Sequence, residues 1–294
     1  MTTFTLAHLS DPHLAPMPRV NPKLLVNKRI IGFINWHRKR RYIHDPALLS
    51  RIVADLKAAN PDHIAATGDF ANIGLDAEFE RAREWLVSLG DEKTVTAIPG
   101  NHDAYVVNAL ESMQRKFGGY MHGDDGGSEF PFVRRRGDIA LIGLSTGVPM
   151  PPFVAAGRLG ETQLARLDSL LADLKGTFRV VLIHHPPVSD AVELKRLVDR
   201  EALLGVIAAR GAELLLHGHD HKHALRWLSG PDGTRVPAAG ISSASAMLRP
   251  NKDGAAYNLF RITRESAAWR CEMETRGVIS GGAIATLKQT TLSG

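Results

Sequence analysis

TVTAIPGNHD, residues 94–103, is a short apolar run that ends on a glycine, an amide, an imidazole and a carboxylate. The apolar half predicts a buried strand, and the polar half falls where that strand stops. Taken alone, Gly100 to Asp103 are a weak signal, because four residues recur by chance. Similar fragments elsewhere in the chain give them their meaning.

Four other polar fragments also follow apolar runs. They are Asp11-Pro12-His13, Gly68-Asp69, His184-His185 and Gly218-His219-Asp220-His221. Strand patterns alternate with helix patterns up to about residue 217, which predicts an α/β sheet. In such sheets the reactive crevice lies at the carboxyl ends of the strands. We therefore expect the five fragments to form one site.

Hydrophobic periodicity gives the remaining elements. It predicts strands over residues 4–9, 63–67, 95–98, 139–144, 179–183 and 214–216, and helices over about 45–60, 77–89, 104–117, 161–174 and 191–210. Residues 118–137 are expected to form a loop. Further strands are predicted over 224–228, 236–238, 257–262 and 268–274. The last twenty residues are small and polar, and their ends are expected to be loose. Asp11 and His13 are two apart and would point the same way on an extended chain.

Length and composition favour one large domain over residues 1–294, with a β-rich part from about residue 222. The chain has 294 residues, of which 44% are apolar, enough to bury a full core. Its single cysteine, Cys271, excludes an internal disulfide and fits a reducing compartment. The sequence shows neither a signal peptide nor a membrane-spanning run. We expect a cytoplasmic protein, with a peripheral position on the inner membrane face as an option.

One segment accounts for the net charge of +5. Of the 36 Lys and Arg residues, eight lie between residues 12 and 44, where there is no Asp or Glu. The other 28 face 31 acidic residues, so the rest of the chain is mildly acidic. We call residues 20–44 the basic insertion, because they separate the first two polar fragments.

The basic insertion predicts an amphipathic helix over residues 24–43. One face carries Val26, Ile30, Phe33, Ile34 and His37, and the other carries Lys28, Gly32, Asn35, Arg38 and Lys39. One interpretation packs this helix on the body with a solvated charged face. A second makes it a lid or a surface for an anionic membrane or lipid substrate. A nucleic-acid patch is disfavoured, because no stacking aromatics alternate with the arginines.

The polar fragments contain the ligands of a metal centre. Carboxylates, an amide and imidazoles without thiolate suit divalent ions such as Mn²⁺, Fe, Zn²⁺ or Co²⁺. The donors are too numerous for one ion and about right for two. Two ions are the arrangement that clamps a phosphate and acidifies a water.

The order DPH, GD, GNHD, H and GHDH resembles the calcineurin-like metallophosphoesterases, and in particular their bacterial cyclic-nucleotide-phosphodiesterase-like branch. The motifs span residues 11 to 221 and all five are present. The resemblance implies a four-layer α-β-β-α sandwich of two mixed β-sheets flanked by helices, with two metal ions at the strand carboxyl ends. It also implies in-line attack on phosphorus by a hydroxide that bridges the ions.

The resemblance also implies a role for each residue of the motifs. Asp11, His13 and His221 would hold one metal ion, Asn101, His184 and His219 the other, and Asp69 would bridge the two. His102 would stabilise the phosphate and protonate the leaving oxygen. Asp103 would hydrogen-bond His102 and set its tautomer.

The remaining histidines are given other roles. His185 is interpreted as a packing or substrate-side residue, His217 as a core residue and His223 as a solvated loop residue. His8, His44, His63 and His122 are taken as non-catalytic.

The leading function is hydrolysis of phosphodiester or related phosphate bonds by a dinuclear metal enzyme. Cyclic nucleotides and small diesters are the first substrate class. A lipid-linked nucleotide diphosphate of the UDP-diacylglucosamine type, cleaved at a membrane, is the second, and phosphomonoesters are the third. A scaffold without activity would lack metal ligands, and none is missing here. A nuclease is disfavoured, because the chain carries no DNA-binding appendage.

Overall fold

The computed structural model describes residues 3–266 and 268–293. Within them the chain forms twelve strands and six α-helices. The strands are β1 (Thr3–Leu9), β2 (His63–Ala66), β3 (Val95–Ala97), β4 (Phe132–Arg136), β5 (Ile139–Gly143), β6 (Phe178–Leu182), β7 (Leu214–His217), β8 (Ala224–Ser229), β9 (Arg235–Gly240), β10 (Ala256–Glu265), β11 (Ala268–Val278) and β12 (Ile284–Ser293). The helices are α1 (Arg29–Arg38), α2 (Pro46–Ala58), α3 (Asp76–Leu89), α4 (Ala109–Phe117), α5 (Glu161–Asp173) and α6 (Arg200–Arg210).

The strands form two mixed sheets of six strands each. The first has the order β12-β11-β10-β1-β2-β3, and the second has the order β4-β5-β6-β7-β9-β8. Strands β1, β2 and β3 are parallel to one another, as are β5, β6, β7 and β9. Parallel strands end at a common edge, so each sheet brings several carboxyl ends together.

The alternation of side chains along each strand fills two separate cores. Leu141, Val180 and Leu216 of the second sheet share a core cluster with Leu6 and Phe260 of the first. The alternate positions of the second sheet pack with α5 and α6; they include Ile142, Val181 and Leu215. Helices α2, α3 and α4 contribute to the first cluster. The expected layering of two mixed sheets flanked by helices is confirmed.

Helix α2 begins where the sequence predicts. Asp45 precedes it in an extended conformation and accepts a hydrogen bond from the Ala47 amide at 2.8 Å, while Pro46 occupies the first turn. The buried face carries Leu48, Leu49, Ile52 and Leu56.

The helix predicted over residues 104–117 is shorter. It begins at Ala109, and residues 101–108 form turns that end at Asn108, whose φ of 66° is left-handed. The carboxylate of Asp103 accepts backbone hydrogen bonds from other loops, which holds this stretch out of the helical path. The region predicted helical over 191–210 contains only a short 3₁₀ turn, Glu193–Lys195, and then α6. The expected loop 118–137 includes β4.

The expectation of loose ends in the last twenty residues is wrong for the residues that the structure describes there. The stretch begins within β11, and Ile284–Ser293 forms β12. This strand pairs antiparallel with β11 and buries Leu292. Thr286 donates to the Glu274 carboxylate at 2.6 Å across the pair. Threonines and alternating apolar residues suit a half-buried edge strand. The small polar residues in the same stretch make this strand pattern hard to recognise in the sequence.

The predicted helix 24–43 is interrupted. Alpha-helix spans only α1, with 3₁₀ turns at Pro22–Leu25 and Arg40–Tyr42. The helix also packs by the opposite face. Trp36 is its one buried residue, and a methyl group at Gly32 would lie 2.6 Å from the Tyr105 hydroxyl. The predicted charged face is thus divided: Lys28 and Gly32 are partly buried, while Asn35, Arg38 and Lys39 are exposed to solvent, as that interpretation expects.

The apolar face of the basic insertion points outward instead. Val26 is 84% exposed, Ile30 is 40% exposed and Ile34 is 45% exposed. Arg29 on the inner side donates to the Ile73 and Gly74 carbonyls at 3.0 and 2.5 Å. The insertion is thus held on the body by two hydrogen bonds of the Arg29 guanidinium and by close packing at Gly32, and not by its apolar face. Among the described residues, no helix is long and apolar enough to cross a membrane.

We expect Leu86→Ala to lower the free energy of unfolding by about 2–5 kcal/mol, because Leu86 is fully buried and its loss leaves a cavity. Urea unfolding followed by circular dichroism measures the change. The matched control is Val87→Ala on the same helix, since Val87 is 57% exposed. Its effect should stay within about 0.5 kcal/mol. Equal effects of the two substitutions would contradict the packing of α3.

Candidate active site

The seven predicted metal ligands follow the carboxyl ends of five strands. Asp11 and His13 lie just after β1, Asp69 after β2 and Asn101 after β3, all in the first sheet. His184 follows β6, and His219 and His221 follow β7, in the second sheet. Because the sheets stack with these edges together, all seven side chains meet in one place.

Three of them form a tight group. The Nε2 atom of His221 is 3.1 Å from Oδ1 of Asp11 and 3.3 Å from Nε2 of His13. The distance from His13 Nε2 to Asp11 Oδ1 is 3.9 Å. These three side chains could share one cation.

A second group lies beside the first. Oδ1 of Asn101 is 2.9 Å from Nδ1 of His219 and 3.3 Å from Nε2 of His184. Oδ2 of Asp69 lies between the groups, 3.5 Å from Nε2 of His184 and 3.7 Å from Nε2 of His13. The donor set is oxygen and imidazole nitrogen, which fits Mn²⁺, Fe, Zn²⁺ or Co²⁺.

Five of these seven residues have a left-handed backbone. The φ angles are 52° at Asp11, 37° at His13, 57° at Asp69, 67° at His219 and 52° at His221. The sequence expectation of an extended Asp11-Pro12-His13 is therefore wrong. Such conformations cost of order 1–3 kcal/mol each and cluster at functional sites. They turn the side chains out of the strand direction and toward one another.

Glycines allow the loops to approach one another. A methyl group at Gly100 would collide with the Asp69 carboxylate, and one at Gly218 would collide with the side chains of Ser10 and Asp11. The glycines in the GNHD and GHDH fragments are therefore required by close backbone contact with two of the carboxylates.

Backbone carbonyls orient three of the imidazoles. Nδ1 of His13 is 3.3 Å from the Ala71 oxygen, and Nδ1 of His184 is 2.6 Å from the Thr67 oxygen. Nε2 of His219 is 2.8 Å from the Lys195 oxygen. Each ring can donate to its carbonyl and present its other nitrogen, with a lone pair, to the site.

The predicted contact between Asp103 and His102 is not present. The Asp103 carboxylate accepts from the backbone amides of Asp69, Ala71 and Gly100 at 2.8, 2.9 and 2.9 Å. Nδ1 of His102 instead lies 2.6 Å from the Asn72 carbonyl. Asp103 is fully buried, so it satisfies amides that would otherwise lack partners. The Asn72 carbonyl takes the tautomer-setting position that the sequence assigned to Asp103.

Mutual charge shapes the site. Burial alone would raise the pKa of Asp69. The neighbouring imidazoles, of which His184 has the largest effect, lower this pKa well below its ordinary value. Burial works to lower the pKa of His184, while Asp69 and Asp11 raise it to about 10. Burial, followed by the Asp69 charge, raises the pKa of Asp103 to about 8. Opposite charges held in a low-dielectric pocket form a strong field for a cation or a phosphate.

Other histidines surround the site. His185 is buried against the Thr146 hydroxyl at 2.7 Å and the Ala155 carbonyl at 3.1 Å. His217 is buried, and His223 is half-buried, with its amide donating to Asp253 at 2.8 Å. His8 and His63 pair with threonines, and His122 with Gln114, away from the seven donors.

Sequence reasoning missed three neighbours of the site. His44 is buried with its ring 4.6 Å from that of His13, and Arg40 reaches both His13 and His102. Arg40 was one of eight basic residues in a run, and nothing in the pattern distinguished it. Tyr105 stacks on His102 at 5.7 Å.

Arg40, His44, His102 and Tyr105 line a cavity of about 690 Å³. Its walls include Lys28, Arg38, Lys39, Arg40, Lys195 and Arg249, and no carboxylate among the lining residues that the structure describes. Ile31, Ile34, Val148 and Phe153 add apolar surface on the outer side. The mouth is therefore basic and partly apolar.

The chain is similar to several phosphodiesterases. It is 30% identical over 178 residues to a probable cyclic nucleotide phosphodiesterase of a Synechococcus species, covering 58% of this chain and 62% of that protein. It is 29% identical over 167 residues to a probable glycerophosphodiester phosphodiesterase of Arcobacter nitrofigilis, covering 55% of this chain and 57% of that protein. The matches thus span about three fifths of each relative's length.

Its fold is similar to that of the purple acid phosphatase PPD1 from yellow lupin seeds. The TM-score is 0.64 at 12% identity, over 99% of this chain and 53% of the phosphatase. The model of the calcineurin-like phosphoesterase family matches residues 4–223, which include all five polar fragments. The resemblance seen in the motifs is confirmed: the chain belongs to the calcineurin-like phosphoesterase family.

Proposed function

We propose that this protein is a dinuclear metal-dependent phosphoesterase that hydrolyses phosphodiester bonds. The observation that carries the proposal is the convergence of seven side chains with oxygen or imidazole donors, Asp69 among them, five of the seven on left-handed backbone. Strain of this kind persists only where the surrounding fold imposes it, and it is common at catalytic sites. The names of the similar proteins favour phosphodiesters over phosphomonoesters.

Two groups of ligands would hold the ions. Asp11, His13 and His221 form one, and Asn101, His184 and His219 form the other. Asp69 would serve both, because its Oδ2 atom lies within 3.7 Å of an imidazole nitrogen in each group. When bound, two divalent ions would neutralise phosphate charge and make a water acidic enough to serve as nucleophile.

His102 would act on the leaving group. Asn72 fixes its Nδ1 atom, so Nε2 is the atom that can exchange a proton with substrate. Burial, followed by the charge of Arg40, lowers the pKa of His102 to about 3, so the ring is neutral beside that cation. A phosphate anion next to the ring would favour the protonated form. The proton would then pass from Nε2 to the leaving oxygen.

A second candidate is hydrolysis of a lipid-linked nucleotide diphosphate at a membrane surface. The outward apolar side chains of Val26, Ile30 and Ile34 favour it, because they sit in a segment rich in Lys and Arg at the rim of the cavity. Such a face suits an anionic bilayer, into which apolar side chains insert while cations meet the headgroups.

Turnover of a chromogenic phosphodiester should exceed that of the matching monoester when Mn²⁺ is supplied. The names of the similar proteins support this preference, whereas the basic cavity without lining carboxylates attracts either anion. Steady-state rates with Mn²⁺, and with a chelator as control, measure the ratio. A ratio well below one would make the protein a monoesterase.

Substitutions of the adjacent residues Asn101 and His102 should have different effects, one on metal binding and the other on turnover. Asn101→Ala should weaken Mn²⁺ binding, since it removes an oxygen that faces His184 and His219. His102→Ala should retain Mn²⁺ and lower kcat by about 10²–10⁴-fold, the usual contribution of a general acid. Calorimetric Mn²⁺ titration and rates on the diester give both readouts. Loss of metal in His102→Ala but not in Asn101→Ala would reverse the assignment.

For the membrane candidate, the double substitution Val26→Ser, Ile30→Ser should weaken binding to phosphatidylglycerol vesicles at least about tenfold, because each side chain loses roughly 1 kcal/mol of apolar burial. Co-sedimentation measures it. Val87→Ser, at an exposed position on α3, is the matched control. Turnover of the soluble diester should not change. Equal vesicle binding by all three proteins would refute a membrane role for this face.

A further inference from the structure

The fold places one cation of the basic insertion inside the site. Arg40 opens the 3₁₀ turn that follows α1, and the chain is fastened on both sides of it. Before it, Trp36 is buried, and its ring lies nearly parallel to that of His44, with an angle of 7° between the ring planes. After it, Ile43 accepts from the Met247 amide at 2.8 Å. Arg40 is therefore held in place by the fold, as the strand-end residues are.

The guanidinium group of Arg40 sits between two imidazoles. Its Nη1 atom is 2.6 Å from Nε2 of His102, and its Nη2 atom is 2.7 Å from Nε2 of His13. In the part of the chain that the structure describes, no carboxylate oxygen lies within 4.0 Å of it. Arg40 is partly buried. Arginines drawn out of water normally have a carboxylate or phosphate partner, because a charge that has lost water and gained no partner is costly.

Neutral imidazole nitrogens are weak partners for a cation. Burial lowers the pKa of Arg40, while the more distant Asp69 and Asp11 raise it. Lys39, Lys195 and Arg249 line the same cavity and add positive charge rather than cancel it. The region next to His102 is thus prepared for an anion.

We propose that Arg40 binds the non-bridging oxygens of the scissile phosphate next to His102. This rests on the proposed function, in which His13 offers Nε2 to a metal ion and so gives up its contact with the guanidinium. The planar fork of an arginine then matches two phosphate oxygens. The basic insertion supplies this group, which makes it part of the catalytic site and not only its cover.

The test uses the full chain loaded with Mn²⁺ and titrated with inorganic phosphate. Arg40→Ala should weaken phosphate binding about tenfold or more, since hydrogen bonds to charged groups are strong. It should lower kcat/KM on the chromogenic diester and leave Mn²⁺ affinity equal or higher. Arg40→Lys should bind phosphate at an intermediate strength, because it keeps the charge but loses the fork.

Arg41→Ala is the matched control. It removes the same charge from the next residue, which is exposed, stacks on Tyr42 and does not line the cavity. Its phosphate affinity should equal that of the unsubstituted protein. Circular dichroism checks that both variants fold.

Two results would overturn the inference. One is equal phosphate affinity in Arg40→Ala and Arg41→Ala. The other is a gain in Mn²⁺ affinity by Arg40→Ala without any change in phosphate binding, which would make Arg40 only a competitor of the metal. A failure of the proposed function is distinguishable, because Mn²⁺ binding to the unsubstituted protein is measured first and would then be absent.

Discussion

The buried carboxylate of Asp103 ties the site together. It accepts amide hydrogen bonds from the loops after β2 and β3, at residues 69, 71 and 100. The loop after β1 is fastened to the same unit, because the amides of Asp11 and His13 donate to the Gly68 and Asp69 carbonyls at 3.0 Å each. Three strand ends thus become one rigid surface. These hydrogen bonds fix the conformation of the loops, and the left-handed backbone at the donors is maintained for that reason.

On this surface, opposite charges stabilise one another. The Asp69 carboxylate favours the protonated form of His184, and the imidazoles favour the ionised form of Asp69. Two buried carboxylates surrounded by imidazoles suit a site that would exchange protons for divalent cations, because ligand nitrogens must lose their protons to bind metal. Carbonyls at Ala71, Thr67 and Lys195 lie within hydrogen-bond distance of three rings and would limit the reorganisation that such an exchange requires.

The basic insertion joins this surface from outside the shared motifs. It is fixed by close packing at Gly32 and by the Arg29 hydrogen bonds, which leaves its apolar residues facing solvent. One side of the segment therefore reaches the donors through Arg40, while the other offers isoleucines and a valine to the surroundings. A phosphate ester with an apolar part would match both.

The prediction that the chain forms one domain over residues 1–294 stays a prediction.

The sequence by itself determined that five polar fragments follow apolar runs, because such runs are local patterns. The layering of two sheets came from the resemblance of these fragments to a family, and the ligand roles of the seven donors stay predictions. Tertiary structure decided what depends on contacts between distant segments. The partner of His102 became the Asn72 carbonyl, since Asp103 was needed by three amides. The apolar face of the insertion points outward, because Gly32 and Trp36 pack against the body instead. The periodicity of apolar residues along the helix could not indicate this. Arg40 entered the site for the same reason: only the folded chain sets where one of eight similar cations points.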